Sequence, residues 1–243
     1  MKKTVVEFKN VTKIYKLFKS DKLRLLSVFY KGVKYTEKRA VDDISFTIKQ
    51  GESVALIGRN GAGKSTILKM ITDVTFPTTG DILVEGRVSA LLELTAGFDL
   101  EMSGRENIYL KGQIMGLKDK EIRRLEPEII AFAELGDYID QPVRTYSSGM
   151  RAKLGFATSV CIEPEIFIVD EVLSVGDAVF RDKCLKKVNE IIDKDNVTLL
   201  FVTHSISDAS QFCKRGIVIK DGKMVCDCDM KEAAKYYKEH MAE

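Results

Sequence analysis

One glycine-rich stretch, Val54-Ala55-Leu56-Ile57-Gly58-Arg59-Asn60-Gly61-Ala62-Gly63-Lys64-Ser65-Thr66, constrains this chain more than any other. A short apolar run ends in a loop that fits G-x-x-x-x-G-K-[ST], and a helical pattern follows it. Gly58, Gly61 and Gly63 let backbone N–H groups turn inward, and a helix starting near Lys64 aims its positive end at the same point. The spacing predicts a phosphate cradle running from Gly58 through Asn60, Gly61, Ala62, Gly63, Lys64 and Ser65 to Thr66. Lys64 can reach β- and γ-phosphates and the Ser65 hydroxyl can ligate Mg²⁺, so the expected ligand is a nucleoside triphosphate with its metal.

A chain of 243 residues with 45% hydrophobic content can bury a large core, as one domain or as one domain with a smaller lobe. The 38 Lys and Arg against 36 Asp and Glu leave a net charge of +2, which argues against a dedicated nucleic-acid binder. No apolar run reaches the roughly 18 residues of a membrane span, and Met1-Lys2-Lys3-Thr4-Val5-Val6-Glu7 leads into a charged strand, not the apolar core of a leader peptide. The sequence therefore reads as a chain of the cytosol. Five cysteines, Cys161, Cys184, Cys213, Cys226 and Cys228, are odd in number and scattered, as reduced thiols in a reducing compartment would be. Cys226 and Cys228 have no nearby Cys or His pair to complete a metal site.

Along the chain, Val5 to Val11 and Ile44 to Ile48 are extended candidates, the second alternating apolar and polar residues as a half-buried strand does; the two read as antiparallel. A helix from Lys64 to Ile71 ends before the breaker cluster Pro77-Thr78-Thr79-Gly80, and an extended segment, Asp81 to Val88, follows. From Ser103 to about Glu134 the period is helical, with Asp119 read as a cap and Pro127 as the start of a new helix. This helical lobe closes near Tyr146-Ser147-Ser148-Gly149, where a helix carrying Met150, Leu154, Ala157 and Val160 on one side begins. Strand and helix then alternate: Ile166 to Val169, Ala178 to Ile192, Thr198 to Thr203, Ser207 to Cys213, Gly216 to Ile219. The runs Ile166–Val169 and Leu199–Val202 are apolar throughout, as strands covered on both faces of a parallel sheet must be.

Two acids, Asp170 and Glu171, follow the first of these runs at the carboxyl end of a sheet strand, where α/β folds place ligands. Asp170 can hold Mg²⁺ through its water, and Glu171 can orient or deprotonate the attacking water that hydrolysis requires. Thr203-His204-Ser205 ends the next strand, which puts His204 on the same rim, within reach of a γ-phosphate.

With these residues in place, the chain resembles, over essentially its whole length, the ATP-binding subunit of an ABC transporter. The resemblance implies an α/β fold, a P-loop NTPase of ABC type: a mostly parallel core sheet, an N-terminal antiparallel β subdomain and a helical lobe. A RecA-like core would take up about 1–100 and 160–243, and the lobe about 101–159. It also implies that Tyr15 stacks on adenine, that Ser147, Ser148 and Gly149 form the signature loop, and that Ser174 and Asp177 bound the loop crossing to a second subunit. In this family two such domains pack head to tail, each triphosphate lying between the cradle of one and the signature serine of the other. Three passages narrow the resemblance to exporters of O-antigen, capsule and teichoic acid: Thr145-Tyr146-Ser147-Ser148-Gly149-Met150-Arg151, Asp170-Glu171-Val172-Leu173-Ser174-Val175-Gly176-Asp177, and Leu91-Leu92-Glu93-Leu94 ahead of Gly104-Arg105-Glu106-Asn107. Glu93 or Leu94 falls where a metal-contacting glutamine is usual.

The implied function is ATP hydrolysis that drives export of a lipid-linked glycan through a separate transmembrane permease subunit, at the cytoplasmic face of the membrane, with no nucleic-acid partner. The alternatives are an ABC ATPase for another exported substrate and a non-transport ABC ATPase. A repair-type ABC protein would insert a long coiled coil between cradle and acid pair, and a ribosome-linked one would carry two cradles; this sequence has neither. Finally, residues 16–39 form a basic insertion in which Lys16, Lys19, Lys22, Arg24, Lys31, Lys34, Lys38 and Arg39 oppose Asp21 and Glu37, leaving +6. Interleaved Leu17, Phe18, Leu23, Leu25, Leu26, Val28 and Phe29 suit it to anionic headgroups or to a membrane subunit.

Overall fold

The computed structural model describes residues 2–30, 32–91, 94–170, 177–194 and 196–241. In chain order the elements are β1 (Thr4–Leu17), α1 (Asp21–Phe29), β2 (Thr36–Lys49), β3 (Ser53–Ile57), α2 (Lys64–Ile71), β4 (Thr79–Val84), β5 (Val88–Ala90), α3 (Gly104–Ile114) and α4 (Asp119–Ala133). They continue with α5 (Ser148–Cys161), β6 (Ile166–Asp170), α6 (Ala178–Ile192), β7 (Thr198–Thr203), α7 (Ile206–Phe212), β8 (Arg215–Lys220), β9 (Lys223–Asp229) and α8 (Met230–His240).

Two sheets divide the strands. A six-stranded sheet has the order β5-β6-β7-β3-β8-β9, parallel except for the β8/β9 hairpin, and a three-stranded antiparallel sheet has the order β2-β1-β4. The two apolar runs read as doubly covered strands, β6 and β7, are that, and β3 is a third. Val54 and Leu56 of β3, Ile166 and Ile168 of β6, and Leu200 and Val202 of β7 pack toward the antiparallel sheet and α2, while Ala55, Ile57, Phe167, Val169, Leu199 and Phe201 pack toward α3 to α6. Since successive side chains of a strand point to opposite faces, only strands apolar at every position can sit between two cores. On the helical side, Phe132 of α4, Phe156 of α5 and Phe180 of α6 join those helices, with ring centroids 5.8 to 6.3 Å apart. Burying each such ring contributes about 2 kcal/mol.

Several local expectations are corrected. The segment Asp81 to Val88 is not one strand: β4 belongs to the antiparallel sheet and β5 to the parallel one. Gly86, at φ 117 and pressed against the Glu165 side chain, makes the turn between them. Pro127 lies inside α4 and starts no helix. It is exposed, and buried Ile122, Ile129 and Phe132 on either side hold one helix against the core. Asp119 is the first helical residue; the cap is Lys118, whose backbone N–H donates to the Glu121 carboxylate at 2.9 Å. The insertion is shorter than 16–39, because Lys16 pairs with Glu37 and Leu17 with Thr36 in the extended β1/β2 hairpin. Only 18–35 lies outside the strands, and within it α1 has no buried residue. The C-terminal pair β9 and α8 was not anticipated. Gly216, where a Cβ would run into Ala233, lets α8 lie close on β8.

Candidate functional site

The sheet order decides what meets at its carboxyl edge. β3 lies between β7 and β8, with Ile57 in register with Thr203 and Val218, and Asp170 ends β6 in register with Val202. The loop leaving β3, the acid ending β6 and the residues after β7 therefore share one rim. Two glycines set the loop. Gly63 caps α2 at φ 114, and a Cβ there would collide with the Ala40 carbonyl; a Cβ on Gly58 would collide with the Ile219 carbonyl. Lys64, the first residue of α2, turns its ammonium back onto the carbonyl oxygens of Gly58 at 2.5 Å and Arg59 at 3.2 Å. It is held in the mouth of the loop, where a phosphate approaching the first-turn amides of α2 would meet it.

A cleft of about 310 Å³ opens here. Its lining includes Asn60, Gly61, Gly63, Lys64, Ser65 and Thr66 from the loop, Asp170 from β6, and Tyr15 with Lys38 from β1 and β2. Tyr15 and Lys38 are cross-strand partners, so the long antiparallel hairpin delivers an aromatic ring and an ammonium to the same mouth. The Lys13 ammonium lies 5.3 Å from the Tyr15 ring centroid. Gly58 and Ala62 shape the loop without lining the cleft: Ala62 is buried and its carbonyl accepts from the Gly222 N–H at 2.9 Å. Ser65 and Asp170 bring a hydroxyl and a carboxylate to one cleft, a hard-oxygen donor set that fits Mg²⁺.

Other expected residues lie elsewhere. His204 follows β7 on the rim and is exposed, but does not line the cleft; Thr203 before it is buried and its hydroxyl accepts from the Ser205 N–H at 2.8 Å. Ser147 caps α5, its Oγ accepting from the Met150 N–H at 3.2 Å, and Ser147 and Ser148 are exposed with Gly149 half-buried. None of these three lines the cleft of its own chain. Asp177 caps α6; the Phe180 N–H, 2.9 Å away, and then the Lys153 ammonium at 3.5 Å hold its carboxyl below the usual range. Glu171, Glu93 and Ser174 lie outside the described residues.

The sequence reading missed one cluster. Asn107 and Lys111 occupy one face of α3. Asn107 is buried, its amide donating to the carbonyls of Asp99, Met102 and Ser103 and its Oδ1 accepting from the Asp99 N–H at 2.7 Å. Lys111, 8% exposed, donates to the Leu94 carbonyl at 2.7 Å and the Gly155 carbonyl at 3.4 Å, with the Phe98 ring centroid 5.5 Å away. Burial pushes its ammonium down to about 8. A lysine in register with buried Ile108 and Gly112, instead of on the solvent face, was the available signal. Burial likewise pushes the Cys161, Cys184 and Cys213 thiols up to about 12, so these cysteines are packing groups.

A glycine loop between a central parallel strand and a helix, with a carboxylate one strand removed, defines a P-loop nucleotide-binding protein. Residues 41–174 match the family described as ABC transporter, and the chain belongs to that family. It is 44% identical to the O-antigen export system ATP-binding protein RfbB of Klebsiella pneumoniae, over 98% of this chain and 99% of that protein. It is 41% identical to the teichoic acids export ATP-binding protein TagH of Bacillus cereus, over 98% of this chain but 43% of that longer protein. Among solved structures, the ATP-binding subunit of an ABC transporter matches with a TM-score of 0.73 at 23% identity, over 98% of this chain and 95% of that one. The dimeric ATP-binding cassette MJ0796 bound to ADP and Pi matches with a TM-score of 0.70 at 22% identity, over 93% and 99%. These two likenesses concern the fold.

Proposed function

We propose that this chain is the ATP-hydrolysing subunit of an exporter of lipid-linked cell-surface polysaccharide, of O-antigen, capsule or teichoic acid type, acting with a separate transmembrane permease. The supporting observation is the end-to-end 44% identity to an O-antigen export ATP-binding protein in a chain whose phosphate loop, Tyr15 and Asp170 converge on one cleft. In this reading Tyr15 stacks on adenine, the loop amides and Lys64 hold the phosphates, and Ser65 and Asp170 hold Mg²⁺, with Glu93 a further candidate ligand. Bound Mg²⁺ would supply charge neutralisation between the β- and γ-phosphates. Glu171 orients the attacking water and accepts its proton, and His204 on the rim approaches the γ-phosphate.

The site is incomplete in one chain. The α5 N-terminus, with Ser147 and Ser148 exposed and Gly149 half-buried, does not line the nucleotide cleft of its own chain, which fits a head-to-tail dimer in which it closes the partner's cleft, with Ser174 and Asp177 at the crossing loop. No helix among the described residues is long and apolar enough to cross a membrane. Around α1, exposed Leu25, Val28, Phe29 and Tyr30 together with the basic residues of 16–39 fit peripheral contact with an anionic membrane surface. The test is deletion of this chain from its native cell. Lipid-linked glycan should accumulate inside and surface glycan should vanish, restored by the wild-type chain and not by Lys64→Ala. Unchanged surface glycan would contradict the reading.

A further inference from the structure

Lys111 is in an unfavourable place for an ammonium group. It is 8% exposed on the core face of α3, and among the described residues no carboxylate lies within ion-pair distance; its partners are the Leu94 and Gly155 carbonyls and the Phe98 ring. A buried unpaired charge costs stability, and a methionine of similar length would fill the space without that cost. A residue that breaks the local rule in this way points to a task other than packing.

The three contacts join three elements. Leu94, or Glu93 just before it, falls where a metal-contacting side chain is expected. Gly155 is on α5, the helix that Ser147 opens, and a Cβ at Gly155 would collide with the Leu94 carbonyl, so the turn at 94–97 and the helix backbone touch there. One turn earlier on the same face of α3, Asn107 ties down residues 99–103. Lys111 also lines a groove of about 360 Å³ whose lining includes Ser65 and Leu68 of α2, residues that line the nucleotide cleft as well. The region around Lys111 thus adjoins the phosphate loop through the first turns of α2.

We infer that Lys111 is a positioning residue whose ammonium pins residues 94–98 to α5, so that the chain beside one nucleotide and the helix presented to the partner's nucleotide keep a fixed relation. Its effect on turnover rests on the ATPase reading above; the pin itself does not. Three readouts on the full-length chain test it: steady-state ATPase kinetics, thermal melting, and amide hydrogen exchange. In Lys111→Met, exchange across 94–103 should rise about tenfold while β3 and α2 are unchanged. KM for ATP should stay within about twofold and kcat should fall about tenfold or more, as for a displaced catalytic element. Tm should not fall, because a buried charge has gone. Lys111→Arg, which retains charge and donors, should recover at least half of both losses. Unchanged exchange in Lys111→Met would overturn the pin. A fall in Tm that tracks the fall in kcat, with no recovery in Lys111→Arg, would make Lys111 a packing residue and overturn it too, as would two variants that both fail to fold. A wild-type chain with no turnover would count against the ATPase reading, while the exchange result would still decide the pin.

Discussion

Ser65 in the first turn of α2 and Asp170 at the end of β6 line the same cleft, because only β7 separates β6 from β3 in the sheet. Two strand spacings amount to about 10 Å, so in the proposed site the Ser65 hydroxyl and the Asp170 carboxylate would hold a hydrated Mg²⁺. Asp170→Asn should therefore raise the Mg²⁺ concentration for half-maximal ATPase activity about tenfold or more, and leave ATP binding in EDTA within about twofold. Magnesium titration of the rate, alongside a nucleotide-binding isotherm in chelator, reads both. An unchanged Mg²⁺ requirement would remove Asp170 from the metal site.

The signature serine should act across the dimer. Lys64→Ala and Ser147→Arg chains, each inactive alone, should regain on mixing about one good site per heterodimer, roughly a quarter of wild-type activity per chain when pairing is random. Specific activity of the wild type should likewise rise with protein concentration. Activity per chain that does not change on dilution into the monomeric range would contradict a site shared between copies.

Much of this site was legible in the sequence for a physical reason: the loop from Gly58 to Thr66 and the acid at Asp170 are local signals whose geometry follows from a strand end and a helix start. The two apolar runs of β6 and β7 were legible because two-sided burial leaves no polar position. What was not legible depends on distant partners. Pro127 reads as a helix start until Ile122 and Ile129 are seen on one buried face. Asp81 to Val88 reads as one strand until Gly86 is seen to send its halves into different sheets. The one local sign that Lys111 is buried is its register with Ile108 and Gly112, and the groups that enclose it, the Leu94 and Gly155 carbonyls and the Phe98 ring, come from other parts of the chain.

Lys111 should leave a pH signature in stability. Its folded-state value of about 8 lies below the ordinary 10.5, so between the two the unfolded chain holds a proton that the folded chain has released. Unfolding free energy therefore rises with pH across that window. Between pH 7.5 and 9.5 this group contributes a gain of about 2 kcal/mol, which Lys111→Met should lack. Urea melts of the two proteins at both pH values give the difference; parallel curves would show that Lys111 does not titrate as a buried group.

The α1 region should confer salt-sensitive attraction to anionic surfaces. Replacing Lys19, Lys22, Arg24, Lys31 and Lys34 with Gln removes charges worth about 1 kcal/mol each beside an anionic bilayer, so cosedimentation with phosphatidylglycerol vesicles should drop about a hundredfold or more at low salt. The effect should shrink as salt rises, and the ATPase rate in solution should hold. Equal sedimentation of the variant would leave α1 without a lipid role.

The central claim is that this chain hydrolyses ATP between two copies of itself, with Glu171 handling the water. Glu171→Gln keeps the shape of that group and removes its charge. Size-exclusion chromatography of this variant with ATP and Mg²⁺, alongside phosphate release, is the most direct measurement. The account predicts an ATP-dependent shift from monomer to dimer with turnover reduced about a hundredfold or more. Hydrolysis at the wild-type rate, or elution as a monomer with ATP bound, would contradict it.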